Sequence, residues 1–274
     1  MNPATEKKAP GTCLVLGGRG FVGSAIAREA QARGFATTIV DKDNYDACAG
    51  ASVDVLINAN GNSKKYLAAQ DPCQEFDLSV HSVLRSLHDF KARLYVYLST
   101  IDVYSDMRNP ANNSEESPID EKALSPYGFH KYLAEKLVRY YAPKWTIFRM
   151  GGFVGPGLWK NAIYDLLTGA PLKVHPDLAC QHLHTHDLAR LLFDVIKATP
   201  PRQIWNICGE GVVTAREVAS WIPNAKAVTD VQGLSPEHYE VNVQKLGSVV
   251  SLPRTADTVK KFVQNVQSGK ESIR

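Results

Sequence analysis

Little in this sequence points to a membrane, a disulfide frame or a nucleic acid. No apolar run is long enough to span a bilayer, and the first residues lack the apolar core of a signal peptide, so no membrane partner is expected. The five cysteines, Cys13, Cys48, Cys73, Cys180 and Cys208, lie far apart with no C-x-x-C pair among them. Such spacing suits reduced thiols in a cytoplasmic protein, not a disulfide scaffold or a zinc knuckle. Excess charge is also scarce. The 31 Lys and Arg against 28 Asp and Glu leave +3, too little to argue for nucleic acid, though a cleft of positive sign would still draw an anionic small molecule. With 44% hydrophobic and 22% charged residues, a mostly disordered chain is excluded. The 274 residues suit one large α/β domain, or a nucleotide-binding domain with a smaller lobe. No internal repeat is visible. Residues 1–11, polar and containing Pro3 and Pro10, read as a disordered leader.

What the sequence does have is a glycine bend between an apolar strand and a helix. Residues 13–16 are apolar, glycines follow at Gly17, Gly20 and Gly23, and residues 24–33 read as a helix with Val22, Ile26 and Ala30 at helical spacing. Gly17 lets the chain reverse, Gly20 lets backbone approach a pyrophosphate, and Gly23 lets the helix pack close to the strand. The helix N-terminus adds free N–H groups and a partial positive charge. The spacing is G-x-x-G-x-x-G rather than the commoner G-x-G-x-x-G. A second strand over 36–40 ends at Asp41, where a carboxylate can hold the adenosine ribose hydroxyls and so favours NAD. Arg19 and Lys42 are cations suited to a 2′-phosphate, so NADP stays open.

Further along, residues 44–50 hold only a brief helix before a buried strand over 53–58, which makes the second crossover abbreviated. Asn58, Ala59 and Asn60 end that strand where ligands sit in open parallel sheets. A long helix over 72–90, a strand over 94–99 running into Thr100, and a surface loop over 107–124 follow. Ser125 and Pro126 predict a helix start, as N-cap and first helical residue. Tyr127 and Lys131 then share a face about one turn apart. A strand over 145–148 leads to a glycine loop over 151–157. Beyond it come a helix over 161–168, short extended pieces over 172–174 and 180–184, a helix over 187–198 and a strand over 204–208. Thr214 and Glu217 predict a capping box, and the chain closes on a helix within 253–266. His182, His184 and His186 alternate, but no Asp, Glu or Cys cluster completes a ligand set, so no metal site is expected.

Together, Gly17-x-x-Gly20-x-x-Gly23, Ser99-Thr100 at a strand end and Tyr127-Gly128-Phe129-His130-Lys131 resemble the extended short-chain dehydrogenases, the NAD-dependent epimerase/dehydratase family. The likeness continues through the loop over 149–156, the stretch His182-Leu183-His184-Thr185-His186-Asp187-Leu188-Ala189 and the segment over 204–218, so it spans roughly residues 12–265 in the family's order. It implies a Rossmann-type doubly wound parallel sheet over residues 12–150, which also receives 180–209, and a smaller C-terminal substrate lobe formed mainly by 151–274. It implies NAD or NADP bound by Gly17, Arg19, Gly20, Phe21, Val22, Asp41, Asn58, Ala59, Asn60 and Lys131. Catalysis falls to Thr100, Tyr127 and Lys131: the Lys131 ammonium makes the Tyr127 phenol more acidic and Thr100 holds the substrate oxygen. Substrate contacts fall to Ser99, Asp102, Gly152, Lys160 and Asn161. Family habit adds a homodimer through the helices over 72–90 and 126–141.

Two departures narrow the chemistry. The family's dehydratases carry an Asp-Glu pair after the threonine; here Ile101 and Asp102 stand there, which argues against dehydration. The substrate-binding Asn of the loop after Arg149 is Gly152. The short second crossover is similar to that of dTDP-4-dehydrorhamnose reductases, and the Gly-Arg-Gly turn to that of GDP-fucose synthases. The expectation is therefore an oxidoreductase that reduces a keto group of a nucleotide-diphosphate sugar. A sugar-nucleotide epimerase using the same residues is one alternative, and a non-catalytic nucleotide-binding regulatory protein is another.

Overall fold

A computed structural model describes residues 11–62, 64–223, 225 and 233–274. The leader expected at 1–11 lies outside the described residues except for Gly11, whose carbonyl already accepts from Ala36 N at 3.2 Å. Strand β1 (Thr12–Leu16) leads through the glycine bend to helix α1 (Phe21–Ala32) and strand β2 (Ala36–Val40). The abbreviated crossover is then a single four-residue helix, α2 (Tyr45–Cys48), with no buried residue. It delivers strand β3 (Ser52–Asn58), followed by α3 (Leu67–Gln70) and α4 (Pro72–Phe76).

The expected long helix over 72–90 is broken. A π-helical turn, Asp77–His81, separates α4 from α5 (Ser82–Asp89). Asp71 starts the run, accepting from Gln74 N, with Pro72 at the first helical position. Strand β4 (Lys91–Thr100), helix α6 (Pro126–Tyr141) and strand β5 (Trp145–Met150) complete the central set. The lobe follows: β6 (Gly152–Val154), α7 (Ala162–Thr168), β7 (Ala179–Cys180) and β8 (His182–His184). Residues 172–174 form no strand. Helix α8 (Thr185–Ala198) and strand β9 (Gln203–Ile207) return to the main sheet. The last elements are β10 (Val213–Thr214), α9 (Ala215–Ser220), β11 (His238–Tyr239), α10 (Gln244–Gly247) and α11 (Thr255–Gln267).

The six-stranded sheet runs β2-β1-β3-β4-β5-β9, all parallel. Its central strands read as unbroken apolar runs because helices cover both faces. On one face α1 and α8 pack with Ile26, Val15, Val96, Leu188 and Phe193 in a common core. On the other, α5 and α6 bring Val83, Ala134 and Val138 against Leu14, Leu56, Tyr97 and Ile147. The order reverses between β1 and β3, which opens a crevice beyond their C-terminal ends. The lobe is held by its own apolar cluster, Val154, Ile163, Val218, Val259 and Phe262, into which Phe21 at the first turn of α1 also packs. The doubly wound Rossmann-type sheet with a smaller lobe is thus the architecture found.

The segment over 107–124 is not a free surface flap. Asn113 and Glu115 are buried, and Glu115 accepts from Asn206 N at 2.7 Å. Two short 3-10 turns, Pro110–Asn112 and Glu121–Ala123, lie within it.

Candidate active site

The glycine bend is built as the spacing demands. Gly17 has φ 73°, a left-handed conformation that favours glycine. Its N–H donates to Val40 O at 2.8 Å and its carbonyl accepts from Gly20 N at 3.0 Å, closing the bend. A Cβ on Gly23 would lie 2.2 Å from Gly17 O, so the helix packs against the strand only because that residue is glycine. Gly20 caps α1 without any side-chain acceptor, which leaves its first N–H groups facing the crevice. Ala59 and Asn60 border the bend from β3: Ala59 N donates to Leu16 O, and the Asn60 Cα lies close to Gly17.

Asp41 follows β2. Its Oδ2 is buried and accepts no hydrogen bond, though Arg19 Nε is 3.5 Å away. An orphaned buried carboxylate oxygen is a costly arrangement that a ribose hydroxyl would satisfy. Arg19 also reaches Asp43 at 3.2 Å. It is therefore shared between two acids, and a 2′-phosphate would have to displace one of them. The bend, the uncapped helix and the orphaned oxygen fit a dinucleotide of the NAD kind. When bound, that group supplies the hydride acceptor or donor.

The residues expected to carry the chemistry lie at the end of β4 and the start of α6. Ser125 caps α6 by accepting from Gly128 N at 3.1 Å, with Pro126 next. Gly128 touches the main chain after β4: a Cβ there would lie 2.1 Å from Asp102 O. That close approach seats the first turn of α6, and with it Tyr127, beside Asp102. Thr100 Oγ1 donates to Asp102 Oδ2 at 2.5 Å and accepts from Asp102 N at 3.2 Å. Asp102 is also paired with Lys65, Nζ to Oδ2 at 2.6 Å, and Lys65 Nζ lies 5.8 Å from the centre of the Tyr127 ring.

Lys131 is buried. Its ammonium donates to Leu98 O at 2.8 Å and sits over the Tyr97 ring at 4.3 Å. Burial pulls it down to about 8, against the opposing pull of Glu135 and Glu75. The Tyr127 phenol moves the other way from the sequence expectation. Burial, then Asp102, then Glu75 push it above its ordinary range, so among the protein's own groups the phenol is held protonated.

Several expected ligand contacts are turned elsewhere. Ser99 is buried and donates to Glu135 Oε1 at 2.6 Å, behind the sheet end rather than into the crevice. Asn58 is buried too: its amide donates to Tyr95 and Ser86, and its Oδ1 accepts from Asn60 N. It shapes the turn at Asn60 instead of facing a ligand. Asn161 spends its side chain on Tyr164 N, as the cap of α7, and on Phe153 O. At Gly152 a Cβ would lie 2.9 Å from both Gln181 O and the His182 ring, so no side chain fits where the family carries Asn. Burial, then the like charges of Lys65 and Lys64, lowers the affinity of Lys160 for a proton. The three lysines thus lie near one another, with Asp102 offsetting the charge of Lys65. Val22 packs into the main core beside α8.

Three features went unpredicted. Lys65 was hidden in a polar loop, although a Lys-Lys pair just past a strand's C-terminal end was a readable signal. Buried Glu135 is bidentate with Arg149, which also donates to Tyr104 OH at 2.9 Å. Buried Glu75 is joined to His130 Nδ1 and to Ser79 Oγ. The signal there was a polar stripe, since Glu75, Ser79 and Ser86 share the buried face of their helix with Val83. Among the described residues no group of three His, Cys, Asp or Glu could hold a metal ion, and His184 is paired with Glu271.

A six-stranded parallel Rossmann sheet, a glycine bend and a Tyr-x-x-x-Lys helix beside a strand-end threonine define a nicotinamide-dependent enzyme of the extended short-chain dehydrogenase type. The family model described as the NAD dependent epimerase/dehydratase family matches residues 13–208, and the chain belongs to that family. No curated protein sequence matches it. Among solved structures, it is similar to a UDP-galactose 4-epimerase at 20% identity, covering 94% of this chain and 99% of that one with a TM-score of 0.76. It is also similar to MoeE5 in complex with UDP-glucuronic acid and NAD, at 17% identity, 93% and 99% coverage and a TM-score of 0.77. A UDP-glucose 4-epimerase from Thermotoga maritima, solved with UDP-glucose, matches at 16% identity over 95% and 100%, with a TM-score of 0.71. No helix among the described residues is long and apolar enough to cross a membrane.

Proposed function

We propose that this enzyme reduces a keto group of a nucleotide-diphosphate sugar with NADH, using Tyr127 as proton donor, Thr100 to orient the sugar oxygen and Lys131 to hold the dinucleotide ribose and support the phenol. The observation that carries the reading is the seat of Tyr127: the Gly128–Asp102 contact packs the first turn of α6 against the chain just after Thr100. Tyr127, held protonated by its surroundings, gives its proton to the oxygen that becomes an alcohol. Thr100 keeps one lone pair for a substrate hydroxyl; for a ketone it turns its proton from Asp102 to the carbonyl oxygen. Ile101 stands where a dehydratase has its acid, which leaves hydride and proton transfer without elimination. The lysines at 64, 65 and 160 favour a substrate bearing a diphosphate. NAD is favoured over NADP because Arg19 is already shared by Asp41 and Asp43.

The reductive direction is favoured by the four-residue crossover, which buries none of its residues and so covers little of an adenosine. Such a site suits a cofactor that exchanges at each turnover. Epimerisation through a transient ketone is the second reading, favoured by the likeness to UDP-sugar 4-epimerases. Purified protein is incubated with NADH and a panel of nucleotide-diphosphate keto-sugars while nicotinamide absorbance is followed. Stoichiometric loss of NADH supports the reductase. Interconversion of UDP-sugar epimers with no net NADH consumption, together with NAD released on denaturation, replaces it with the epimerase.

A further inference from the structure

The least expected charge in the fold is Glu75. Its side chain is wholly buried between α4 and α6, where an uncompensated carboxylate would cost several kcal/mol. Both its oxygens are committed: Oε1 to the Ser79 hydroxyl and Oε2 to His130 Nδ1. Ser79 lies inside the π-helical turn Asp77–His81, an irregularity that recurs at functional sites. His130 lies between Tyr127 and Lys131 on α6, and the Glu75 charge acts on both of those groups. The rings of Phe76 and Phe129 flank the imidazole, at 5.5 and 6.2 Å between centroids.

We infer that Glu75 and His130 act as a positioning pair whose net charge sets how readily Tyr127 gives up its proton. The inference rests on the reading of Tyr127 as proton donor. With the imidazole neutral, the buried carboxylate presents a negative charge to α6, which holds Lys131 as an ammonium and Tyr127 as a neutral phenol. A proton on His130 cancels that charge and eases formation of the phenolate. Glu75 pulls upward on both Tyr127 and Lys131, although burial takes Lys131 down overall, and that pull agrees. The other titratable groups around the pair are Tyr97 from β4 and Asp120, Glu121 and Lys122, which line an outer groove of about 750 Å³ that reaches His130.

The test reads Tyr127 itself and needs no substrate. The full chain is labelled with 3-fluorotyrosine, Tyr127 is assigned by its loss in Tyr127→Phe, and its titration is followed by fluorine NMR with and without NAD. Glu75→Gln is expected to lower the Tyr127 midpoint by up to about one unit, a tenfold gain of phenolate at fixed pH. His130→Gln, neutral for neutral at the pH where the phenol titrates, is expected to leave it nearly unmoved. A midpoint lowered by Glu75→Gln and unmoved by His130→Gln supports the pair, because a packing defect would act in both. An unmoved midpoint in Glu75→Gln, or an equal shift in both variants, overturns it. Should Glu75→Gln fail to fold, His130→Lys, which sets a fixed cation beside the carboxylate, is expected to lower the midpoint, and an unmoved midpoint there overturns the pair. Loss of turnover plays no part in this readout, so a failure of the proposed reaction leaves the charge measurement standing and is recognised separately.

Discussion

Gly128 lies against the main-chain carbonyl of Asp102, so closely that a Cβ there would fall 2.1 Å from the oxygen. Backbone, not a flexible side chain, occupies that space. Gly128→Ala is therefore expected to push the first turn of α6 off the end of β4. Overpacking of this kind costs about 1–3 kcal/mol of stability, and a displacement near 1 Å at a reacting group costs on the order of a hundredfold in rate. Thermal unfolding and kcat of the variant check both.

Tyr127→Phe removes the proton donor and leaves the ring. The expected result is a fall in kcat of about 10²–10⁴, with unchanged thermal stability and unchanged NAD affinity. A variant with near-normal turnover would remove Tyr127 from the chemistry.

Asp41 Oδ2 is buried without a hydrogen bond. Asp41→Ala is expected to weaken NAD binding by about ten- to a hundredfold, the worth of a hydrogen bond to a charged group, measured by calorimetric titration. NADP affinity falls less or rises, because Arg19 loses one of its two acids.

Arg149 and Glu135 are both almost fully buried and doubly hydrogen-bonded. Arg149→Met leaves a buried carboxylate unpaired and is expected to cost about 3–5 kcal/mol. Replacing both residues with apolar ones recovers most of that loss. Denaturant unfolding of the single and double variants gives the comparison.

His182 is pulled down from 6.5 to about 4 by burial, partly offset by its bond to Cys180 O. Its folded value lies below its unfolded one, so the unfolded chain binds the proton first as pH falls. The stability it contributes is complete above pH 6.5 and is lost progressively toward pH 4. His182→Gln is expected to flatten that part of the stability profile, measured by urea unfolding across the range.

What could be read from the chain was local. Gly17, Gly20 and Gly23 act within one bend, Ser125 caps its own helix, and Thr214 with Glu217 forms the capping box that their spacing announces. The short second crossover followed from counting residues between two apolar runs. The polar partnerships could not be read, because they join positions distant in sequence: Lys65 to Asp102, Glu75 to His130, Ser99 to Glu135. The resemblance implied a substrate contact for Ser99, yet alternate residues of a strand face opposite sides, and Ser99 faces Glu135. Burial, then Asp102 and Glu75, explains why the Tyr127 phenol is less acidic than Lys131 alone would make it. Asp102 and Glu75 were not visible as its neighbours.

Phe21 begins the helix proposed to receive the pyrophosphate, yet its ring belongs to the apolar cluster of the lobe. The two halves of the molecule are thereby stitched at the mouth of the crevice. On the proposed reading, a ligand that shifts the lobe shifts that turn with it, and by thermodynamic necessity any resulting coupling between two ligands is equal in both directions.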